Sequence, residues 1–319
     1  MAGPRPFATL SFVIAALIAD SAQANPPITA VALSPDGAQI VLGSQGGIEV
    51  RSLPELALTA RLTTELANVH DLVFSPDGKT LLAAGGAPAE SGAVELWNWP
   101  AGRRLRYIAD HKDVVYRVAW SPDGWLWATA GADSICRVYL AETGALKTHY
   151  KEHSRAVLSI SFLDRETIAS AGADQTIRIW EAATGQHRRT LDNHVAAVNA
   201  ISVRPGPPAP AGIVVATISE DRTVRLWQPM LGRLMRFARL PSPPRAVDWS
   251  ADGERLFVGC NDGQIRVVDA ESMEIVEDIV GLEGRIHELV TDRRRSTIVV
   301  CGEGGCRCGI VPAPCRDAR

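Results

Sequence analysis

Three residue types that could do catalytic chemistry recur at similar intervals in the middle of the chain. His153, Ser170 and Asp174 stand in one stretch, and an imidazole, a hydroxyl and a carboxylate are the members of a nucleophile–base–acid triad. The same order of His, then Ser or Thr, then Asp occurs once more upstream and once downstream. An active site need occur only once, so we interpret the repeated set as a structural hydrogen-bond network.

The stretch from 153 to 180 shows which elements position these side chains. It holds three apolar runs, AVLSISF, TIASAG and TIRIW, separated by short breaks. Runs of this length that are rich in Val, Ile, Phe and Trp are typical of strands. A Thr-Gly turn at 184–185 leads to a fourth run. The stretch therefore predicts a four-stranded antiparallel meander of about forty residues, which needs copies of itself to bury both faces.

This unit repeats along nearly the whole chain. The residue that ends the first apolar run recurs every 41 to 46 residues, at Leu33, Phe74, Trp120, Phe162, Val203, Trp249 and Thr291. A Ser-x-Asp-Gly turn follows it in four units, at 34–37, 75–78, 121–124 and 250–253. Seven such units predict an all-β, seven-bladed β-propeller of four-stranded blades. The approximate units are 28–62, 69–108, 111–150, 153–191, 194–240, 242–279 and 283–315.

The unit resembles that of the WD40-repeat family, which has a His at its start, a Ser or Thr in its second strand, an Asp in the next turn and a Trp ending the third strand. The resemblance covers residues 28 to about 311, and it is strongest in the third, fourth and fifth units. Those units supply His111, Thr129, Asp133 and Tyr139, then His153, Ser170, Asp174 and Trp180, then His194, Thr217, Asp221 and Trp227. The first, second and sixth units lack part of the set, and Tyr139 replaces the Trp.

The resemblance also implies a recognition surface, because the family usually binds partners on the rim where the first strands begin. One residue per unit falls there: Thr29, His70, Tyr116, Leu158, Asn199, Arg245 and His287. With two turn residues, the candidate contact residues are His70, Tyr116, Asn199, Glu220, Arg245, Asn261 and His287. The inserted segment APAES at 87–91 should project from this face, and the Pro-rich loop 205–212 from the other.

The N-terminus predicts export. Arg5 precedes the apolar run FATLSFVIAALIA, and Ala22-Gln23-Ala24 has the small-x-small pattern of a cleavage site. We expect residues 1–24 to be a signal peptide that is removed, and residues 25–319 to be a propeller in the periplasm or outside the cell. No membrane anchor is expected after cleavage. The alternative is an intracellular scaffold whose N-terminus is not a signal.

Four of the six cysteines crowd into the C-terminus, at Cys301, Cys306, Cys308 and Cys315. Their spacing matches no zinc or haem pattern, whereas export permits disulfides. The seventh unit is short of a strand, since PAPCRDAR is a poor strand sequence. A disulfide from Cys301 to Cys306 or Cys308 would stabilise that unit.

The net charge and the lack of catalytic motifs in the sequence limit the classes of function that we expect. A net charge of −3 gives no electrostatic reason to expect a nucleic-acid partner. We find no nucleophile–base pair, metal cluster, phosphate loop or cofactor motif, so we expect no cofactor, no metal and no catalysis. The expected function is a scaffold that binds a protein or peptide. The alternative is an exported propeller hydrolase or lactonase with a channel metal, for which Asp71 and Glu288 are the carboxylates nearest the ring.

Overall fold

The computed structural model describes residues 26–206, 212–292 and 297–310. These residues form 27 β-strands. Within the same ranges, no helix is long and apolar enough to cross a bilayer. The expected signal peptide and Cys315 lie outside the described residues, as does most of the Pro-rich loop.

The strands pair antiparallel with their neighbours in sequence and form seven blades. Blades 1 to 4 contain β1 (Ile28–Leu33), β2 (Gln39–Ser44), β3 (Gly47–Ser52) and β4 (Leu58–Leu62); β5 (Val69–Phe74), β6 (Thr80–Ala87), β7 (Ser91–Asn98) and β8 (Arg103–His111); β9 (Val115–Trp120), β10 (Leu126–Gly131), β11 (Cys136–Leu140) and β12 (Leu146–Tyr150); and β13 (Val157–Phe162), β14 (Thr167–Gly172), β15 (Ile177–Glu181) and β16 (His187–Leu191). Blades 5 to 7 contain β17 (Val198–Val203), β18 (Val215–Ser219), β19 (Thr223–Gln228) and β20 (Arg233–Arg239); β21 (Pro244–Trp249), β22 (Arg255–Cys260), β23 (Gln264–Asp269) and β24 (Ile275–Val280); and β25 (Ile286–Asp292), β26 (Thr297–Gly302) and β27 (Gly305–Ile310).

The blades close into a ring. The first strand of each blade contacts the first strand of the next, and β25 returns to β1. Seven buried apolar clusters fill the seven interfaces between successive blades. The predicted seven-bladed propeller is therefore confirmed, as is the incomplete last blade, which has three strands in the described residues.

The Ser-x-Asp-Gly turns end the first strands, because their side chains form hydrogen bonds with the backbone of the same turn. In blade 3, the Ser121 hydroxyl donates to Asp123 Oδ1 at 2.6 Å, and the same oxygen accepts the backbone N–H of Trp125 at 3.1 Å. Gly124 between them has a φ of 75°, which a residue with a side chain rarely adopts. The turn therefore fixes where the hairpin reverses, and six of the seven repeat residues that mark the first runs are the last residue of their strand.

One boundary differs from the sequence-based units. The outer strand of blade 2 continues to His111, three residues past the predicted end of that unit. His111 thus belongs to blade 2 by strand, although its side chain contacts blade 3.

Candidate functional site

A ring of seven side chains marks the rim where the inner strands begin. In every blade the register of the inner strand shifts across its second residue, so each of these residues sits in a β-bulge. The residues are Thr29, His70, Tyr116, Leu158, Asn199, Arg245 and His287, and all are half-buried. The repeated bulge therefore presents one side chain per blade at the same rim.

Four of the candidate contact residues meet in one polar cluster across blades 5 and 6. Asn199 donates to Glu220 Oε1 at 3.1 Å and to the carbonyl of Pro244 at 2.9 Å. Glu220 forms an ion pair with Arg245 at 2.7 Å. Arg245 Nε donates to Asn261 Oδ1 at 2.8 Å. The four side chains hold one another in place, and we call them the blade 5–6 cluster.

A second pair joins blades 2 and 3. The rings of His70 and Tyr116 meet edge to face, with centroids 5.7 Å apart. Burial, together with the charge of Arg117, lowers the pKa of His70, and burial raises the pKa of Tyr116. Both rings are therefore neutral near pH 7. His287 forms no hydrogen bond with another candidate residue in the described part of the chain.

An ion triad crosses the centre of the ring below this rim. Arg117 of blade 3 contacts Asp71 of blade 2 at 3.3 Å and also pairs with Glu288 of blade 7. Blades 3 and 7 are not neighbours, so the second contact spans the central channel. Asp71 also accepts the backbone N–H of Val118 at 2.8 Å. The two carboxylates nearest the ring are thus bound to a guanidinium.

One guanidinium cannot neutralise both carboxylates of this triad. Burial raises the pKa of Glu288 to about 7, although Arg117 opposes the rise, and burial raises the pKa of Asp71 as well. The triad therefore changes its charge near neutral pH. No group of three or more His, Cys, Asp or Glu side chains is arranged to hold a metal within 26–206, 212–292 and 297–310.

The triad-like residues of blade 4 form a buried chain of hydrogen bonds. Trp180 Nε1 donates to Ser170 Oγ at 3.1 Å, and Ser170 Oγ lies 2.8 Å from His153 Nε2. His153 Nδ1 lies 2.9 Å from Asp174 Oδ2. A carboxylate only accepts, so Nδ1 carries the proton and Nε2 of a neutral ring accepts from the hydroxyl. Blade 5 repeats the chain at 2.8, 2.9 and 2.8 Å through Trp227, Thr217, His194 and Asp221.

Blade 3 forms only part of this chain. His111 lies 2.7 Å from Thr129 Oγ1 and 3.1 Å from Asp133 Oδ1. Tyr139 does not reach the hydroxyl as the Trp does; its ring stacks on Trp127 at 4.1 Å between centroids. Burial opposes ionisation of Asp133, yet the hydrogen bond and charge of His111 outweigh it and lower the pKa to about 2. Tyr139 therefore contributes by stacking.

In blade 2, a carboxylate takes the place of this chain of hydrogen bonds. It was not among the residues predicted from the sequence. Glu95 is fully buried, and Trp97 Nε1 donates to it at 3.2 Å. Three more donors reach it: the Thr64 hydroxyl at 2.8 Å, the Glu65 backbone N–H at 2.9 Å and Arg104 at 2.7 Å. Glu95 thus takes the Trp N–H that a Ser or Thr accepts in blades 4 and 5.

Three of the clustered cysteines share one face of blade 7. Cys301 and Cys306 are directly opposed on β26 and β27, and their sulfurs are 2.6 Å apart. Cys308 packs in the same buried cluster. Burial raises the pKa of Cys301 well above its ordinary value and that of Cys308 to about 11. In the folded blade, burial therefore disfavours the thiolate form of Cys301 and Cys308.

Comparison with known proteins agrees with the repeat geometry. The family model "WD domain, G-beta repeat" matches residues 102–139, 144–181 and 185–228. A model of the anaphase-promoting complex subunit 4 WD40 domain matches residues 214–289. This chain is a WD40-repeat protein. The matched residues contain the hydrogen-bond chains of blades 4 and 5.

Curated relatives share only part of this WD40 chain. Human coronin-7 is 33% identical over 101 residues, which are 32% of this chain and 10% of coronin-7. The intraflagellar transport protein 122 homologue of Xenopus tropicalis is 30% identical over 91 residues, or 28% of this chain and 7% of that protein. An uncharacterised WD repeat-containing protein of Synechocystis is 24% identical over 94 residues, or 30% of this chain and 26% of that protein. The alignments thus span 7–26% of each relative's length.

Proposed function

We propose that this protein is an exported, non-catalytic scaffold that binds a protein or peptide partner on the rim where its inner strands begin. The observation that carries the proposal is the blade 5–6 cluster, in which four polar side chains from two blades are joined at one rim. The WD40 propeller supplies a rigid frame for that surface.

The cluster is suited to recognition because its side chains are ordered and still accessible. The side chains of Arg245 and Glu220 are 35% and 31% exposed, and each contacts two partners within the cluster. Long side chains that are already fixed lose less conformational entropy when a partner binds. The mixed donors and acceptors of the cluster fit a partner with polar groups of both kinds, and the His70–Tyr116 pair adds an aromatic contact at the same rim.

The rim is tested by capture of partners from the exported fraction. The bait is the purified protein, compared with a variant that carries Tyr116→Ala, Asn199→Ala and Arg245→Ala. We expect the triple variant to retain less than about a tenth of the captured partner, since ordered polar and aromatic anchors carry most interface energy. Trp125→Ala is the matched control, because that side chain is 73% exposed on a turn at the opposite end of the inner strands.

Circular dichroism and thermal unfolding should show that both variants fold. Capture that survives the triple variant but is lost with Trp125→Ala would contradict the rim. Export is tested separately by N-terminal sequencing of native protein, which should begin at Asn25. A native protein that begins at Met1 or Ala2 would contradict export with cleavage.

A further inference from the structure

The six complete blades share a pairing pattern between their third and fourth strands. At one position of each third strand, an apolar residue faces an apolar residue of the fourth. The pairs are Ile48 and Leu62, Val94 and Ile108, Cys136 and Tyr150, Ile177 and Leu191, Val224 and Ala238, and Ile265 and Ile279. This position therefore requires an apolar partner from the fourth strand.

The next residue of each third strand is Glu or Arg, and we call this position the charged slot. In blade 1, Glu49 faces Arg61 and pairs with it at 2.9 Å. In blade 6, Arg266 faces Asp278 and pairs with it at 3.0 Å. In both blades, the fourth-strand residue that faces the charged slot therefore carries the opposite charge. In blades 3, 4 and 5, the slot arginine faces His149, Thr190 and Phe237 instead, and in blade 5 it lies over the aromatic ring.

Blade 7 has both positions, but none of the described residues faces them from a fourth strand. Cys306 occupies the apolar position and Arg307 the charged slot of β27. No fourth strand covers the outer edge of β27 in the described residues. Arg307 Nε is buried there without a hydrogen-bond partner. A buried donor without a partner is costly, and an uncovered strand edge offers a row of backbone groups for pairing.

We propose that the open edge of β27 binds an extended segment of a partner protein as the fourth strand of blade 7. The segment pairs antiparallel with β27 and places an Asp or Glu opposite Arg307. Its next residue is apolar and lies opposite Cys306, as Ile279 follows Asp278 in blade 6. Backbone hydrogen bonds supply the affinity of such strand addition, and the two side-chain positions supply its specificity.

The downstream sequence of this chain does not have the required pattern. In all six complete blades, the fourth-strand residue that faces the charged slot follows it by twelve residues. The same interval after Arg307 gives Arg319, which has the same charge. Pro312 and Pro314 fall in the intervening run, and proline cannot donate to a strand ladder.

The sequence upstream of β1 has an acid at the position that would face Arg307, but the proposed cleavage of the signal peptide would remove it. In most blades the apolar fourth-strand residue precedes the next inner strand by seven residues, as Leu62 precedes Val69. Counting back from Ile28 places Asp20 opposite Arg307. That residue precedes the expected cleavage after Ala24, so the inference of a partner strand rests on the proposed export.

The test uses protein purified from the exported fraction, with its N-terminus sequenced. The probe is a labelled synthetic peptide with the sequence of residues 274–281, which carries the Asp-Ile order of β24. The control peptide has Arg in place of that Asp. We expect the first peptide to bind at least tenfold more tightly than the control. The protein variant Arg307→Glu should reverse this preference, and circular dichroism should show that the variant is folded.

Hydrogen exchange of the β27 amides separates the occupants. In the free, processed protein the β27 amides that point away from β26 should exchange fast, and the peptide should slow them. Slow exchange in the free monomer would show that the chain covers its own edge, and slow exchange only in a dimer would assign the edge to a second copy; either result overturns the proposal. Equal affinity for both peptides also overturns it. Neither readout involves the rim, and sequencing reports on export, so the failures are distinguishable.

Discussion

Asp174→Ala tests whether the triad-like residues are structural. The Asp174 side chain is 4% exposed. It accepts hydrogen bonds from His153 Nδ1 at 2.9 Å, from the Ser154 backbone at 3.1 Å, and from the Thr176 hydroxyl and backbone at 2.9 and 3.2 Å. The substitution orphans all of these donors at once. His153 cannot recruit water easily, because its side chain is fully buried.

The expected loss follows from the buried donor. Leaving one buried donor unpaired costs about 1–3 kcal/mol, and the partly exposed donors of Ser154 and Thr176 add less because water replaces the carboxylate. We therefore expect Asp174→Ala to lower the free energy of unfolding by about 2–4 kcal/mol. For a propeller of this size, that loss corresponds to a fall in Tm of roughly 3–6 °C. Asp174→Asn, which keeps one acceptor oxygen, should lose less.

Urea and thermal unfolding of purified protein measure the loss, and Asp262→Ala is the matched control. Asp262 occupies the same turn in blade 6, but its side chain is 37% exposed and pairs with Arg266 rather than with a His. Its removal should cost less than that of Asp174, because Arg266 keeps its ion pair with Asp278. Equal losses at the two positions would refute the reasoning. So would loss of partner binding by Asp174→Ala at an unchanged Tm.

Acid unfolding gives an independent check on the same network. Burial opposes ionisation of Asp174, but the hydrogen bond from His153 outweighs it and holds the pKa below its ordinary value of 3.8. A carboxyl with a lowered folded pKa contributes stability above its unfolded pKa and loses it as pH falls through the folded one. The stability lost below about pH 4 should therefore be smaller in Asp174→Ala than in the unmodified protein. An identical acid profile would contradict the assignment.

Three further predictions concern groups that the repeat pattern alone does not define. Glu95→Ala should lower the free energy of unfolding in urea by about 3–5 kcal/mol, because it leaves a buried Trp N–H and an Arg without their acceptor. Glu49→Ala, at the partly exposed equivalent position of blade 1, should cost less. Because folding raises the pKa of Glu288 to about 7, the free energy of unfolding should fall as pH rises from about 4.5 to 7, by up to about 1.4 kcal/mol per pH unit. Glu288→Gln should make Tm less dependent on pH over that range, and an unchanged slope would exclude this titration. Peptide mapping of exported protein without reduction should find Cys301 linked to Cys306, which face each other across the hairpin, and free thiols at both positions would rule the link out.

The strand framework follows from local signals, which explains why it could be predicted. The turn that reverses blade 3 is fixed by Ser121, Asp123 and Gly124, three residues that bond or bend within a few positions of one another. Such turns set the register of the inner strand, so the bulge residue of each blade falls four residues before the end of the first run. The rim positions could thus be counted from sequence. The link between Asn199 and Arg245 through Glu220 could not be counted in this way, because the two residues belong to different blades.

Contacts between residues far apart in the sequence could not be predicted by counting positions along the repeat. Arg117 and Glu288 meet only because the ring closes and brings blade 7 opposite blade 3. Their sequence neighbours give no sign of the pairing, apart from charges placed within otherwise apolar strands. Glu95 is different, since it occupies the slot that holds Arg in blades 3 to 7. That exchange of sign was visible in the repeat alignment and would have indicated a different network in blade 2.

The same slot bears on how the edge of β27, which no strand covers in the described residues, would avoid aggregation. An uncovered edge strand generally pairs with any extended chain that reaches it. In β27 the slot residue is Arg307, and a segment without an acid opposite it would bury an unpaired guanidinium. Blades 1 and 6 place an opposite charge at the facing position, whereas the slot arginines of blades 3 to 5 face His149, Thr190 and Phe237. An arginine at an edge that no described strand covers would therefore penalise generic pairing and favour a segment of the opposite charge, so that pairing at this edge is selective.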